Sequence, residues 1–386
     1  MSFRLGILGG GLQGLEAAAV ARLSGWETVL MDGRPGAPAA GIASRFVART
    51  ARTAADLDLA FGSCDAVLPA NENLATLELV DAWARTPCAP PVAFDLASFR
   101  ISRDKLESKR LFAASGAPAP LPYPASGFPI IAKPGDRSGS RGVRLVSSRE
   151  ELDALFPAGV PAGHVLEEYC PGPSYSLEAT GRPGGHRAWT VTGLLMDGSF
   201  DCRGVRSPAR LDPSLEAAFR RMTLDVAGNL SLKGLMDIEV MSTPRGLRAL
   251  EIDARFPSQT PLAVLLSSGE NLLYRLLSIF GPVPEPSRGA PRHALLEHLD
   301  VSGGRMSLTG ERRMALAGPL DLKEGFHGAD LALTDASPGR TSWAATLMLQ
   351  AGSEEGLLLK RADMYARLSA HLGAPPPPES LEGAFP

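Results

Sequence analysis

Along the first ninety residues, short apolar runs alternate with segments whose apolar positions recur at helical spacing. Residues 3–8 form an apolar run that ends at Gly9-Gly10-Gly11, and the Ala-rich segment Leu12–Leu23 reads as a helix. A second strand, residues 27–31, ends at Asp32. Strands are expected again at 45–48 and 65–69, with helices at about 54–60 and 71–82. Strand and helix alternating through short loops predict a parallel, doubly wound sheet.

A second unit starts near residue 98. Ser102 is placed to cap a helix that runs to residue 114, where Gly116-Ala117-Pro118 stops it. A short strand at 128–132 enters the loop Pro134-Gly135-Asp136-Arg137-Ser138-Gly139-Ser140-Arg141-Gly142. Residues 143–146 resume the sheet, and Ser148-Arg149-Glu150-Glu151 has the form of a capping box. From His164 the pattern changes to longer strands, at 164–169, 174–180, 187–195 and 199–204. A helix follows from Pro213 to about 230. Its positions Leu215, Phe219, Met222, Val226 and Leu230 keep a three-to-four spacing behind Asp212-Pro213. Strands are expected at 234–241 and 247–253, and Pro282-Val283-Pro284-Glu285-Pro286 reads as a linker into a small β-rich unit. The Pro-rich tail from Pro375 reads as disordered.

With 386 residues, two or three domains are expected. Apolar residues at 44% and charged residues at 21% exclude wholesale disorder. The 39 basic and 42 acidic residues leave a net charge of −3, which argues against a strongly basic nucleic-acid binder. Four widely spaced cysteines without a CxxC pair fit a reduced, cytoplasmic compartment better than a disulfide framework. No signal-peptide pattern opens the chain, and no apolar run is long enough to predict a membrane span.

Gly9-x-Gly11-x-x-Gly14 follows a strand and opens a helix, and Asp32 lies 18 residues beyond Gly14. This is the spacing of a dinucleotide fingerprint, in which glycines admit a pyrophosphate and the acid holds a ribose. Taken by itself it supports an NAD-dependent oxidoreductase. It equally suits a glycine-rich first turn that faces another substrate.

Three later segments carry more chemistry. Lys105 on a helix and Lys133 at a strand end precede the Gly- and Ser-rich loop 138–142, a supply of charge and backbone N–H groups suited to a polyphosphate. The strand ending Glu167-Glu168-Tyr169 can place backbone groups against a purine edge. In the third segment, strand alternation puts Glu251, Asp253 and Arg255 on one face, away from Leu250 and Ile252, with Asp237 expected from a neighbouring strand. Acids crowded on one face of an apolar strand are costly unless compensated. Hard oxygen ligands of this kind suit Mg²⁺ held jointly with nucleotide phosphates, and Arg255 is placed to stabilise a phosphoryl group in transfer.

In order and spacing these segments resemble the ATP-grasp ligase superfamily, from the N-terminal domain to about residue 281. The string from Glu251 through Asp253, Arg255, Pro257-Ser258-Gln259-Thr260-Pro261 is more pointed, because most of the superfamily has Asn where this chain has Asp253. Together with Gly9-Gly10-Gly11-Leu12-Gln13-Gly14-Leu15-Glu16-Ala17 and Pro171-Gly172-Pro173-Ser174-Tyr175-Ser176-Leu177-Glu178, it looks like one family: the pyrrolysine-biosynthesis ligases that join 3-methyl-D-ornithine to L-lysine. The C-terminal portion is similar only loosely, and Gly310-Glu311-Arg312-Arg313-Met314 departs from the basic, His-containing string expected there.

The resemblance implies an α/β architecture: an ATP-grasp fold with an N-terminal Rossmann-like preATP-grasp domain (1–97) and a small β-rich C-terminal unit (282–374). The ATP-grasp domain is expected at 98–281, divided near residue 170, and the tail at 375–386. It implies transfer of the ATP γ-phosphoryl group to the carboxylate of 3-methyl-D-ornithine, or D-ornithine, and attack on that acyl phosphate by the ε-amine of L-lysine. ATP and two Mg²⁺ ions are the implied cofactors. The expected partners are small amino acids, without nucleic acid or membrane, and a homodimer is compatible with the family. Carried over, Lys105 and Lys133 match phosphate-binding lysines, and Ser138, Gly139 and Ser140 the phosphate lid. Glu167, Glu168 and Tyr169 match the adenine hinge, and Ser174 stands near the position of a ribose ligand. Asp237, Glu251 and Asp253 match metal ligands and Arg255 the phosphoryl-stabilising arginine. Ser176 and Glu178 are the candidates for holding the first amino acid, with Gln13, Glu72 and Arg206 as further substrate contacts. Another ATP-grasp carboxylate-amine ligase or carboxylase is the alternative. An NAD-dependent oxidoreductase ranks below both, since it leaves the acidic strand unexplained.

Overall fold

The computed structural model describes residues 2–135, 139–182 and 184–377. Ser138 and the tail from residue 378 lie outside the described residues. The chain begins with β1 (Arg4–Leu8), α1 (Leu12–Leu23), β2 (Glu27–Asp32), β3 (Arg45–Ala48), α2 (Ala54–Phe61), β4 (Ala66–Pro69) and α3 (Leu74–Trp83). The four strands form a parallel sheet in the order β3-β2-β1-β4. Burial on both faces explains why β1 and β4 read as continuous apolar runs: Ile7 packs into one buried cluster and Leu8 into another. Each such side chain contributes about 1.5–3 kcal/mol relative to exposure. Strand order reverses between β1 and β4, and the crevice beyond their carboxyl ends is where ligands of such sheets bind.

The glycine loop after β1 owes its composition to close backbone packing. Gly9 has φ +111°, and a Cβ there would lie 2.4 Å from the Ala70 carbonyl oxygen; one on Gly14 would lie 1.9 Å from that of Gly9. The Asp32 carboxylate accepts from the Gly10 N–H at 2.7 Å and the Arg34 N–H at 2.8 Å. Chain packing alone therefore accounts for the fingerprint, acid included.

The next elements are α4 (Leu96–Ser102), α5 (Lys105–Ala114), β5 (Ile130–Pro134), β6 (Arg144–Val146), α6 (Arg149–Leu155) and β7 (His164–Glu168), with the strands in the order β6-β5-β7. Ser102 does not cap the helix that carries Lys105. It ends α4, and Asp104 caps α5 by accepting from the Leu106 and Glu107 N–H groups. The Ser102 hydroxyl is instead engaged at long range, accepting from the Ala254 N–H at 3.0 Å. Ser148 caps α6 as expected, but Glu151 reaches back to the Ser147 N–H, one residue earlier than a capping box requires.

The third group comprises β8 (Ser174–Arg182), β9 (Gly185–Met196), β10 (Cys202–Ser207), α7 (Pro213–Asn229), β11 (Gly234–Thr243), β12 (Gly246–Asp253), α8 (Thr260–Ser268) and α9 (Leu272–Phe280). The last is β13 (His293–Ser302), β14 (Arg305–Leu308), α10 (Glu311–Met314), β15 (Asp321–Glu324), β16 (Leu331–Thr334), β17 (Trp343–Ala351) and α11 (Glu354–Leu372). These two groups share one ten-stranded sheet, β12-β11-β8-β9-β10-β13-β17-β16-β15, with β14 beside β13. The join is the antiparallel pairing of β10 with β13, from Gly204 opposite Glu297 to Ser207 opposite Ala294. The C-terminal group is rich in strands, as expected, and also carries the 19-residue helix α11.

One apolar cluster joins the N-terminal sheet to the two groups of the large sheet, with Ile7, Leu262, Leu273, Leu296 and Met348 among its members, while the small sheet has a cluster of its own around Ile130 and Val146. Glu16 on α1 ties the N-terminal sheet to α8 by accepting from the Leu262 N–H at 2.6 Å, and Asn271 donates to Ser24 at 2.7 Å. Among the described residues no helix is long and apolar enough to cross a membrane.

Candidate active site

Two rows of polar side chains cross the large sheet at β8, β11 and β12. In one row Glu178, Asp237 and Asp253 stand opposite one another; in the next, Ser176, Glu239 and Glu251 do. Strand alternation puts both rows on one face. Like charges directly opposite one another on neighbouring strands are destabilising, and here they add to burial in favouring the neutral carboxyls. Burial, and then the adjacent Asp253, raise the Asp237 carboxyl well above its usual range. Burial, partly offset by Arg255 and reinforced by Glu251, raises Asp253 to about 7. Burial followed by the charge of Glu251 raises Glu239 to about 8. Burial likewise raises Glu178 to about 7.

Cations flank this acidic strip. Lys105 pairs with Glu251; burial opposes its charge, but Glu251 outweighs burial and holds the ammonium above its usual range. Arg255 reaches Asp253 through Nη2 at 2.8 Å and Glu72 through Nε at 2.9 Å. Gln13 Nε2 donates to the same Glu72 at 3.0 Å. The contacts thus run from the first turn of α1, through Glu72 and Arg255, to the row on β12.

Three cavities adjoin the strip. One, of about 280 Å³, lies between the small sheet and the large one. Lys105, Lys133, Ser140, Glu167, Glu168, Tyr169 and Ser174 line it, with Ile131, Met196, Met241 and Leu250 as apolar walls. The second, of about 90 Å³, is bounded by Ser176, Asp237, Glu239, Glu251, Asp253, Arg255 and Glu311. The third, of about 600 Å³, opens at the ends of β1 and β4 and is lined by Gln13, Glu72, Gly139, Arg255 and Glu311. Gly139, Arg255 and Glu311 belong to both the second and the third, so the acidic strip sits between a half-apolar slot and the crevice of the N-terminal sheet.

Most of the residues singled out from sequence are brought together here, but several stand differently from expectation. The Glu167 side chain is buried between Lys133, at 2.6 Å, and Lys109. Burial opposes its charge, but the two ammonium groups outweigh burial and hold the carboxyl below its usual range. Glu168 pairs with Arg245 and accepts from the Leu121 N–H at 3.3 Å. Both hinge carboxylates are therefore engaged by protein groups. Glu178 lies wholly buried at the β8 end of its row, with Ser176 Oγ 3.2 Å away, and lines none of the three cavities. Arg206 is not brought to the strip: Val205 faces the acidic cavity, while the Arg206 guanidinium pairs with Glu354 at the start of α11 at 2.5 Å. Alternation along β10 sends it to the opposite face. Sequence reasoning passes over Lys109, Glu239, Gln259 and Glu311. Lys109 follows Lys105 by one helical turn and Glu239 follows Asp237 by one strand repeat, so both carried a usable signal; Gln259 stood within the quoted 257–261 string without a role, and Glu311 had no spacing to single it out.

The donor set fits magnesium shared with a polyphosphate. Asp237 Oδ1 is buried without a hydrogen-bond partner, beside Asp253 and Glu239, whose carboxyls burial raises to about 7 and about 8. Among the described residues no group of three or more ligand side chains closes on one point as a cage would require. A magnesium ion at these carboxylates would therefore need phosphate oxygens and water to complete its shell; Lys105 and Arg255 are the cations that pair with Glu251 and Asp253.

No family model matches the chain. By sequence it is 37% identical over 314 residues to the 3-methyl-D-ornithine–L-lysine ligase of Methanosarcina mazei, across 80% of this chain and 81% of the relative. It is 38% identical over 297 residues to that of Methanosarcina barkeri, across 76% and 78%. Among solved structures, the ADP complex of an N5-carboxyaminoimidazole ribonucleotide synthetase superposes with a TM-score of 0.70 at 15% identity, over 96% of this chain and 98% of that one. The biotin carboxylase domain of Hydrogenobacter thermophilus 2-oxoglutarate carboxylase, in complex with MgADP, does so with a TM-score of 0.68 at 14% identity, over 96% and 90%. At such identities the structural likeness shows the fold alone, which is the ATP-grasp fold.

Proposed function

Because the chain belongs to the family of 3-methyl-D-ornithine–L-lysine ligases, we propose that its cleft uses ATP to join the carboxylate of 3-methyl-D-ornithine to the ε-amine of L-lysine. The observation that carries this reading is the acidic strip, Asp237 with Asp253 and Glu239 with Glu251, set between a nucleotide-sized slot and the crevice of the N-terminal sheet. A carboxylate is a poor electrophile because oxide is a poor leaving group. Phosphorylation replaces that leaving group with phosphate.

In this reading Met196, Met241, Leu250 and Ile131 enclose the adenine, while Lys105 and Lys133 draw the phosphates to the strip. Gly139 and Ser140, which line the cavities, would cover them. Asp237, Glu251 and Asp253 would hold magnesium, as two ions, against the β- and γ-phosphates, neutralising charge that builds during transfer. Arg255, held by Asp253 and Glu72, faces the phosphoryl group as it moves onto the carboxylate of the first amino acid. Ser176, on the floor of the acidic cavity, and Gln13 and Glu72, in the crevice, are placed to orient amino acids. The lysine amine then attacks the acyl carbon, phosphate departs, and an amide remains.

Mass spectrometry of reactions with ATP, Mg²⁺ and amino-acid pairs tests this. Equimolar ADP, phosphate and an amide of 3-methyl-D-ornithine (or D-ornithine) with L-lysine are expected. Turnover with D-alanine pairs or bicarbonate, and none with the ornithine–lysine pair, would overturn the assignment in favour of another ligase or a carboxylase.

A further inference from the structure

Glu311 stands where the acidic cavity meets the crevice of the N-terminal sheet, and it lines both. It opens α10 within the string 310–314, which departs from the basic, His-containing string expected there. Its Oε2 is clamped twice: Ser258 Oγ donates at 3.1 Å and Gln259 Nε2 at 2.7 Å. The Gln259 amide is held in that orientation, since its Oε1 lies 2.8 Å from Nε2 of the buried His298, whose Nδ1 lies 2.9 Å from Thr346 Oγ1. Gln259 itself adopts φ +71°, a left-handed conformation that side-chain-bearing residues seldom keep without a structural reason. The other carboxylate oxygen, Oε1, is turned toward the loop, 3.7 Å from where a Cβ on Gly139 would sit. One oxygen is therefore fixed by two donors backed by a histidine, and the other is presented where the two cavities join.

On the ligase reading, the second amino acid must bring an ammonium ion to the acyl phosphate, and an ammonium ion is no nucleophile until it loses a proton. We propose that Glu311 binds the ammonium group of the attacking amino acid at this junction and takes its proton. The proton passes from nitrogen to Oε1, and the freed lone pair forms the C–N bond. The C–O bond to the phosphate breaks, and the departing phosphate oxygen takes the second proton of the nitrogen. Glu311 then returns its proton to solvent. Burial, outweighing the hydrogen bond from Gln259, keeps this carboxyl above the usual range, which suits a proton acceptor.

Two reactions of the purified protein with ATP and Mg²⁺ separate this role from others. Hydroxylamine, already unprotonated at neutral pH, replaces L-lysine in one, and the hydroxamate of the first amino acid reports the acyl phosphate. Glu311→Gln is expected to keep hydroxamate formation within about twofold while losing ligation to L-lysine by about 100-fold or more, less so at higher pH. Glu311→Asp should recover part of the loss. Equal losses in both reactions, or unchanged ligation, overturn the role of Glu311 alone. Failure of the unsubstituted protein to yield any hydroxamate overturns the acyl-phosphate reading and this inference with it.

Discussion

Arg255 meets Glu72 at 2.9 Å, joining the strand that bears the acidic row to the crevice of the N-terminal sheet. Gln13 donates to the same carboxylate from the first turn of α1. Glu72→Gln keeps the shape of this link but weakens its hold on the guanidinium. A hydrogen bond to a charged group is worth about 1.5–3 kcal/mol, so kcat/KM for the first amino acid should fall about 10- to 100-fold. KM for ATP should stay put, because Glu72 lines the crevice and not the slot. Steady-state kinetics with each substrate varied in turn checks both halves; a rise confined to the KM for ATP would contradict this placement.

Glu167 separates two buried ammonium groups, Lys133 and Lys109. Removing one partner from a buried ionic cluster leaves charge uncompensated, at a cost of about 3–5 kcal/mol. Glu167→Gln should lower the free energy of urea unfolding by about that amount. A loss below about 1 kcal/mol would mean that the cluster is solvated.

Glu16 and Glu239, raised to about 8, and Glu178 and Asp253, raised to about 7, bind protons more tightly folded than unfolded. Such groups stabilise the fold at low pH and lose that contribution as pH climbs through their folded values. His298, held near 4 by burial, works in the opposite direction, but only below the usual histidine range. Between about pH 6.5 and 8.5 the raised acids dominate, so the melting temperature of the ligand-free protein should fall. Saturating MgATP should flatten the slope by favouring the ionised carboxylates. Calorimetry across that range settles it, and a flat or rising curve without MgATP would be evidence against the strip.

Asp237→Asn removes one of two opposed carboxylates and supplies a donor where Oδ1 has none. The ligand-free protein should melt no lower than the unsubstituted one. The rise in melting temperature that MgATP produces should shrink, with ligation reduced about 100-fold or more. Differential scanning fluorimetry reads the first two quantities and ADP release the third.

The acidic strip was legible because strand alternation is a local rule: it groups Glu251, Asp253 and Arg255 without knowledge of the fold. The same rule applied to β11 would have added Glu239 to Asp237, and helical spacing would have added Lys109 to Lys105. Glu311, Gln259 and His298 had no such signal. The pairing of β10 with β13 and the left-handed turn at Gln259 bring them in, and register over that sequence distance is set by tertiary packing. Arg206 shows the converse. It lies close in sequence to site residues, yet its position along β10 sends it to the far face and to Glu354. Ser102 was a plausible cap, but Asp104 lies nearer the helix start and accepts from two N–H groups.

The central claim is that the carboxylate of the first amino acid attacks the γ-phosphoryl group of ATP beside Asp237, Glu251, Asp253 and Arg255. Isotope transfer tests it most directly. With the carboxylate of 3-methyl-D-ornithine or D-ornithine labelled with oxygen-18 and L-lysine present, each phosphate released should carry one labelled oxygen, with the other retained in the amide. Amide formed while all released phosphate stays unlabelled would contradict the account.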